Sequence, residues 1–162
     1  SERFLPKFLA ILDFLVCDFL KNTKFGMMPS LLIHPDAAQD LRDLMVSDRE
    51  AAGRVLALIE QAQHDSTLLD SLLDHDFGAN RTQSYHVSKW WELWRAGYNI
   101  WRLKVWTFPK GSLNQRIVYA YDPKQLQYHV LAVVRRDFDY ERDHAVTNRI
   151  LRTYLNLGIA RY

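Results

Sequence analysis

The chain has 162 residues and carries 21 Lys and Arg against 19 Asp and Glu, which gives a formal net charge of +2 at pH 7. This length suits one domain with a sizeable hydrophobic core. So small a net charge is no sign of nucleic-acid binding, and a function of that kind must rest on local clusters of charge. The single cysteine, Cys17, excludes an intramolecular disulfide and argues against a cysteine-based zinc site. This cysteine usage fits a cytoplasmic protein.

The first predicted element is an apolar helix over residues 4–20. Asp13 and Asp18 interrupt the apolar run, which is shorter than the roughly 20 clean apolar residues that span a bilayer, so we expect no membrane segment. Phe8 and Leu12 recur at helical spacing, which predicts an amphipathic helix that docks on the domain or on a partner. The chain therefore divides into an N-terminal amphipathic helical extension, 1–27, and a main domain, 28–162.

A short strand and two helices are expected next. Residues 30–33 form a buried strand, and Pro35 suits the first turn of the helix that follows. Ser47 and Glu50 match the capping box of a second helix, so the two helices should form an αα-hairpin. A mixed region over residues 65–94 follows, with helical turns, a polar loop and a Trp-rich segment that fits either a helical turn or a strand.

Three strands and a helix complete the pattern. The strands are expected at residues 98–108, 116–121 and 127–134, separated by turns that contain Pro or Gly. Asp143 is the expected cap of a C-terminal helix that ends at Gly158. The order β-α-α-insert-β-β-β-α predicts an α+β fold, with a twisted, mainly antiparallel sheet of about four strands and helices on one face.

The most informative stretch for function lies between Glu92 and Asp122, where the sequence has no acidic residue. Arg102 and Lys104 stand at strand spacing within it, so their side chains leave the same face of a sheet. Each basic residue alone is an ordinary surface choice, but their concentration in one acid-free stretch indicates a site for a phosphate group. Trp101 and its neighbours are candidates for base stacking, although such residues are more often core. The basic residues of the stretch are Arg95, Arg102, Lys104, Lys110 and Arg116.

A second cluster ends the last predicted strand. Arg135 and Arg136 follow the apolar residues 130–134, and Tyr140 lies a few positions later. Guanidinium groups with a phenol beside them, at the end of a strand, suit a site that holds a phosphodiester and cleaves it.

These motifs, in this order and spacing, resemble those of the RelE/ParE superfamily, the toxins of bacterial type II toxin–antitoxin modules. The resemblance covers residues from about 28 to 157 and is to the RelE-like branch. It implies the RelE/ParE-like fold, with an N-terminal αα-hairpin, a twisted sheet and a C-terminal helix. The stretches that carry it are the helical opening at 34–41, the cationic strand at 97–105, the strand at 116–121 and the segment 130–140.

The resemblance implies a ribosome-dependent mRNA endoribonuclease, because toxins of this branch enter the ribosomal A site and cut messenger RNA. It also implies a cognate antitoxin as partner, and neither a metal nor another cofactor. The residues matched to catalytic roles are Lys104, Arg116, Arg136 and Tyr140, with Arg135 as the alternative to Arg136. The residues assigned to RNA binding are Arg102, Arg135, Arg95 and Lys110.

The expected reaction is attack of an RNA 2′-hydroxyl on the adjacent 3′-phosphate, which leaves a 2′,3′-cyclic phosphate and a free 5′-hydroxyl. Tyr140 or Lys104 would take the 2′ proton, because neighbouring guanidinium groups favour the deprotonated form of each. Arg136 would act as acid or stabilise charge. Arg102 and Arg116 would clamp the phosphate through the forked geometry of guanidinium groups.

Two other functions fit the same fold. A ParE-like protein would inhibit DNA gyrase and cleave no RNA, although that branch generally lacks the full basic set together with a Tyr. A catalytically inactive module would keep the fold and bind RNA or protein. Neither codon preference nor oligomeric state has a signal in the sequence.

Overall fold

The computed structural model describes residues 4–21, 28–138 and 144–162. These residues form a five-stranded, mostly antiparallel sheet with six helices, which confirms the predicted α+β class. The helices are α1 (Phe4–Lys21), α2 (Pro35–Ser47), α3 (Arg49–His64), α4 (Ser66–Ser71), α5 (Trp91–Arg95) and α6 (Ala145–Asn156). The strands are β1 (Ser30–Ile33), β2 (Tyr85–Lys89), β3 (Ile100–Trp106), β4 (Ser112–Asp122) and β5 (Gln127–Arg135).

The strand order across the sheet is β1-β5-β4-β3-β2, with β1 parallel to β5 and the other neighbouring pairs antiparallel. The sheet has one strand more than expected, because β2 forms at residues that carry no predicted element. In β2, Tyr85 and Val87 are buried and His86 between them is half-buried. A period-two pattern over so few residues is hard to distinguish from a loop in the sequence.

The two faces of the sheet carry separate hydrophobic clusters. On one face, Trp101 and Leu103 pack with residues of α1 to α4. On the other face, Ile100 and Val118 pack with Ile150 of α6. Helices thus cover both faces of the sheet rather than the single face expected, because α6 folds back and packs its apolar stripe against the second face.

Asp48 alone separates α2 from α3, and it caps α3. Its side chain accepts a hydrogen bond from the Ala51 N–H at 3.0 Å. Ser47, the expected cap, instead donates to a carbonyl of the last turn of α2 at 3.2 Å. The capping-box assignment is therefore wrong by one residue, and Asp is among the strongest N-cap residues. Glu50, the expected partner in the box, pairs with Arg54 one turn later at 2.9 Å.

An ion pair anchors α6 to α2. Arg149 donates to both carboxylate oxygens of Asp40, at 2.9 and 2.7 Å, and Asp40 also accepts from the Val133 N–H at 2.9 Å. His144 is the N-cap of α6 and accepts a backbone N–H at 3.2 Å. Asp143, the expected cap, lies outside the described residues.

The helix α1 packs against β1 and α2, at the edge of the sheet opposite β2. Phe8 and Leu12 are buried, as their helical spacing predicts. Asp13 pairs with Arg42 of α2 at 2.9 Å. Within the described ranges, no helix is long and apolar enough to cross a membrane.

Candidate functional site

The strand register brings basic side chains into one row across the sheet. His86 on β2 lies opposite Lys104 on β3, and Lys104 lies opposite Arg116 on β4. Directly opposed residues of antiparallel strands project from the same face. Val134 on β5 continues the row and belongs to the cluster under α6. The row therefore lies on the α6 face, towards the end of β3 that turns into β4.

Lys104 is the centre of this arrangement. Its Nζ lies 4.1 Å from the centroid of the Trp106 ring. Burial lowers the pKa of Lys104, and the positive charges of Arg116, Arg136 and Arg81 lower it further. A lysine with a lowered pKa holds a larger fraction of neutral amine, which is the form that accepts a proton. We call these four basic residues the cationic patch: Arg81, Lys104, Arg116 and Arg136.

Arg116 is held in place within the β3–β4 hairpin, and it also contributes a positive charge to the site. Only 9% of the residue is exposed. Its Nη1 donates to the carbonyls of Leu113 and Gln115, each at 2.9 Å. Because Nη1 already donates to these two backbone carbonyls, Arg116 contributes to the site mainly as a positive charge held beside Lys104.

Arg81, which carried no predicted role, joins the patch from the segment before β2. Its guanidinium carbon lies 4.4 Å from the centroid of Trp106. Its Nη2 donates to the Thr107 carbonyl at 2.7 Å and its Nη1 to the Gly111 carbonyl at 2.9 Å. Arg81 therefore ties this segment to the β3–β4 hairpin. Arg81 lies outside the acid-free stretch, so its membership of the site is apparent only from these long-range contacts in the structure.

Gly78 allows that segment to run close against β2. Its φ is +74°, and a Cβ at this position would lie 1.9 Å from the Tyr85 carbonyl oxygen. The Gly78 carbonyl accepts from Trp106 Nε1 at 2.8 Å. The same close approach places Asp76 beside His86, with 3.2 Å between Oδ1 and Nε2. Only glycine fits here, because both the φ and the space exclude a side chain.

Arg102 lies on the same face as Lys104, two residues earlier on β3. Its partner on β2 is Ser88, and its Nη2 donates to the Lys89 carbonyl at 3.4 Å. The residue is half-buried. Arg102 therefore extends the basic surface from Lys104 towards α5.

The structure separates Arg135 from Arg136. Arg135 donates to both carboxylate oxygens of Asp137, at 3.0 and 2.8 Å. This hydrogen-bonded pair raises the pKa of Arg135 and lowers the pKa of Asp137. Arg136 follows β5, its backbone N–H bonds to the Asn114 carbonyl, and its charge acts on Lys104. Arg136 is thus the arginine of the two that belongs to the patch.

The remaining candidates lie elsewhere or are not described. Arg95 is exposed in α5, which leads into the start of β3, the end away from Lys104. Lys110 is exposed in the hairpin turn between β3 and β4. Tyr140 lies outside the described residues, so its place relative to Lys104 is not part of the site geometry.

The aromatic residues divide between core and surface. Trp101 is buried with 3% exposure, as expected of core. Trp106 is half-buried beneath Lys104 and Arg81, so cations already contact its ring. Phe108, on the same hairpin, is 69% exposed and lies 5.9 Å from the guanidinium carbon of Arg81. An exposed ring next to cations is suited to stacking on a base while phosphates are held nearby.

The site combines an amine with a lowered pKa, several guanidinium groups and a His–Asp pair. Among the described residues, no group of three or more His, Cys, Asp or Glu is arranged to hold a metal ion. The side chains that are present can bind phosphate and transfer protons. No protein-family model matches the chain, and neither curated proteins nor solved structures include a detectable match.

Proposed function

We propose that this chain is a RelE-like toxin of a type II toxin–antitoxin module, a metal-independent endoribonuclease that cuts messenger RNA in the ribosomal A site and so inhibits translation in the cytoplasm. The observation that carries the proposal is the row of His86, Lys104 and Arg116 across β2, β3 and β4. Arg81 and Lys104 both lie against the Trp106 ring beside this row. The part of the proposal that places cleavage on the ribosome rests on the sequence resemblance. The succession of the α2–α3 pair, the sheet and α6 suits the RelE-like plan of hairpin, sheet and C-terminal helix.

Phosphate is the ligand that best fits this chemistry. Guanidinium groups pair with phosphate oxygens through two parallel donors, and they hold their charge at any physiological pH. Arg102 lies two residues before Lys104 on the same face of β3, and the Arg136 charge also acts on Lys104, so both can contribute to binding a backbone that crosses β3. The exposed ring of Phe108 offers a stacking surface for a base at the hairpin.

In the proposed reaction, Lys104 takes the proton from the 2′-hydroxyl. The new O2′–P bond forms as the P–O5′ bond breaks, and the product is a 2′,3′-cyclic phosphate. The lowered pKa of Lys104 favours this role, because its neutral amine is the base. Arg136 stabilises the charge on the phosphoryl oxygens, and it keeps its own proton because guanidinium groups are not deprotonated in proteins.

A cognate antitoxin would neutralise the toxin by covering the patch. Many such partners order a disordered segment on binding, and acidic side chains on that segment would complement the basic surface. The antitoxin thus competes with messenger RNA for the same face of β3.

The test is a purified translation system programmed with a defined message, read by primer extension. Wild-type protein should cut inside the codon that occupies the A site, and Lys104→Ala should leave the message intact. A parallel supercoiling assay with purified DNA gyrase examines the ParE-like alternative. Loss of supercoiling without cuts would favour gyrase inhibition, and no effect in either assay would favour an inactive binding module.

A further inference from the structure

Asp76 and His86 form a side-chain pair at the outer edge of β2. Asp76 Oδ1 lies 3.2 Å from His86 Nε2, and the Asp76 N–H donates to the Val87 carbonyl at 2.9 Å. The imidazole of His86 also stacks on Trp106, with ring planes 6° apart and centroids at 6.0 Å. A carboxylate and an aromatic ring therefore orient this imidazole, and it stands opposite Lys104 in the strand register.

The proposed cleavage needs an acid for the leaving 5′ oxygen. Lys104 enters the reaction as a neutral amine and so cannot supply that proton at the start. Arg136 retains its proton because guanidinium groups are not deprotonated in proteins. An imidazole is the side chain that best exchanges a proton near neutral pH.

We propose that His86 is the general acid of this reaction and that Asp76 is its positioning residue; the assignment rests on the proposed function. The imidazolium of His86 gives its proton to O5′ as the P–O5′ bond breaks, while Lys104 holds the proton of the 2′-hydroxyl. His86 ends as neutral imidazole and Lys104 as ammonium. Proton exchange with water restores both groups, so no further reactant is consumed.

The geometry determines which ring nitrogen acts. Nε2 lies 3.2 Å from Asp76 Oδ1, so in the protonated ring that the proposal requires, Nε2–H donates to Asp76 and Nδ1–H is the proton assigned to the substrate. Two positive groups lie near the ring, Lys104 across the strand pair and Arg81 at Trp106. The Asp76 carboxylate is the negative group beside the ring, and its Oδ2 lies 3.7 Å from Nε2 of His75.

The test compares two synthetic messages on programmed ribosomes, one with the ordinary 5′ oxygen at the cleaved bond and one with a bridging 5′ sulfur. Sulfur leaves as a thiolate and needs no proton. His86→Ala should cut the oxygen message at least about 100-fold more slowly than wild type, the usual scale of general acid catalysis. It should cut the sulfur message within about tenfold of the wild-type rate. Asp76→Asn should show a smaller loss on oxygen and the same recovery on sulfur.

The control is His64→Ala, since His64 is an exposed histidine of α3, and it should cut both messages at the wild-type rate. Thermal unfolding of each variant shows that the fold is kept. The acid assignment alone fails if wild type cuts both messages and His86→Ala either cuts oxygen normally or loses both substrates equally. A wild-type protein that cuts neither message overturns the proposed function and this assignment together.

Discussion

Lys104 and Arg116 are direct cross-strand partners in β3 and β4, although both side chains are basic. Like charges in directly opposed positions destabilise an antiparallel pair. Two backbone carbonyls hold Arg116, and the ring of Trp106 lies under the Lys104 amine. These contacts keep the two cations together despite their repulsion. A local conflict of this kind is expected where function, rather than stability, determines the residues.

Arg116→Gln should raise the pKa of Lys104, because it removes a positive charge that lowers it and keeps an amide donor for the nearby carbonyls. The neutral amine is then scarcer at neutral pH, so cleavage slows there and the rising limb of the pH–rate profile moves to higher pH. The measurement is the cleavage rate from pH 6 to about 10. Arg135→Gln is the matched control, since Arg135 pairs with Asp137; an unshifted profile in Arg116→Gln would contradict the prediction.

Substitution of Arg136 should reduce the cleavage rate far more than substitution of Arg135. Arg136→Ala removes a charge next to Lys104 and should reduce the cleavage rate by about 100-fold, the scale of one lost electrostatic contact in a transition state. Arg135→Ala breaks an exposed ion pair and should change the rate less than about threefold, because such pairs contribute little. Single-turnover cleavage on programmed ribosomes measures both. Equal losses in the two variants would contradict the prediction that only Arg136 belongs to the cationic patch.

Gly78→Ala should destabilise the protein far more than Gly158→Ala. Both glycines have positive φ, +74° and +71°, but only at Gly78 would a Cβ lie 1.9 Å from a backbone oxygen. Gly158→Ala therefore carries only the conformational cost of about 1 kcal/mol, whereas Gly78→Ala adds a steric clash with Tyr85. Urea unfolding gives the free energy of each variant. Similar values for the two would show that the segment before β2 adapts freely.

Phe108→Ala should weaken the affinity for a single-stranded oligoribonucleotide with a 2′-deoxy nucleotide at the cleaved position. Stacking of one base on an aromatic ring contributes about 1–3 kcal/mol, so the dissociation constant should rise at least about fivefold. Phe14→Ala is the matched control, because Phe14 is also well exposed, at 65%, but lies on α1 at the other edge of the sheet. Fluorescence anisotropy measures the affinity, and an equal effect of both changes would exclude Phe108 as a stacking surface.

His129 should make the protein less stable in mild acid. Burial lowers its pKa to about 4 from the ordinary histidine value of 6.5. Between these two values the unfolded chain binds more protons than the native state, so stability falls as the pH falls through that window, by an amount on the order of 3 kcal/mol. His129→Gln should flatten the decline, although His34, whose pKa burial also lowers, still contributes. Urea unfolding from pH 7 to about 4 measures the slope; an unchanged slope would exclude His129 as its source.

The regular parts of this fold follow from local patterns. The apolar periodicities locate β1, α2, α3 and α6, and the strand spacing of Arg102 and Lys104 places both on one face. The strand β2 could not be recognised from the sequence, because its alternation of buried and half-buried residues is short and follows a polar segment. Local pattern is strong evidence only where an element is long enough to repeat it.

The candidate site could be predicted only in part, because its geometry depends on contacts between distant residues. Lys104 and Arg116 are visible in the acid-free stretch. Arg81 and Asp76 lie in a polar segment, and no local signal connects them to β3. The positive φ of Gly78 and its approach to β2 bring that segment into the site.

The contact between Arg81 and the β3–β4 hairpin has a consequence for how the chain is made. Arg81 is synthesised before the hairpin that receives it, and Arg136 is synthesised after both. A nascent chain therefore lacks a complete patch until Arg136 has left the exit tunnel. If the protein attacks translating ribosomes as proposed, this order of assembly spares the ribosome that produces it until all four residues of the patch have emerged.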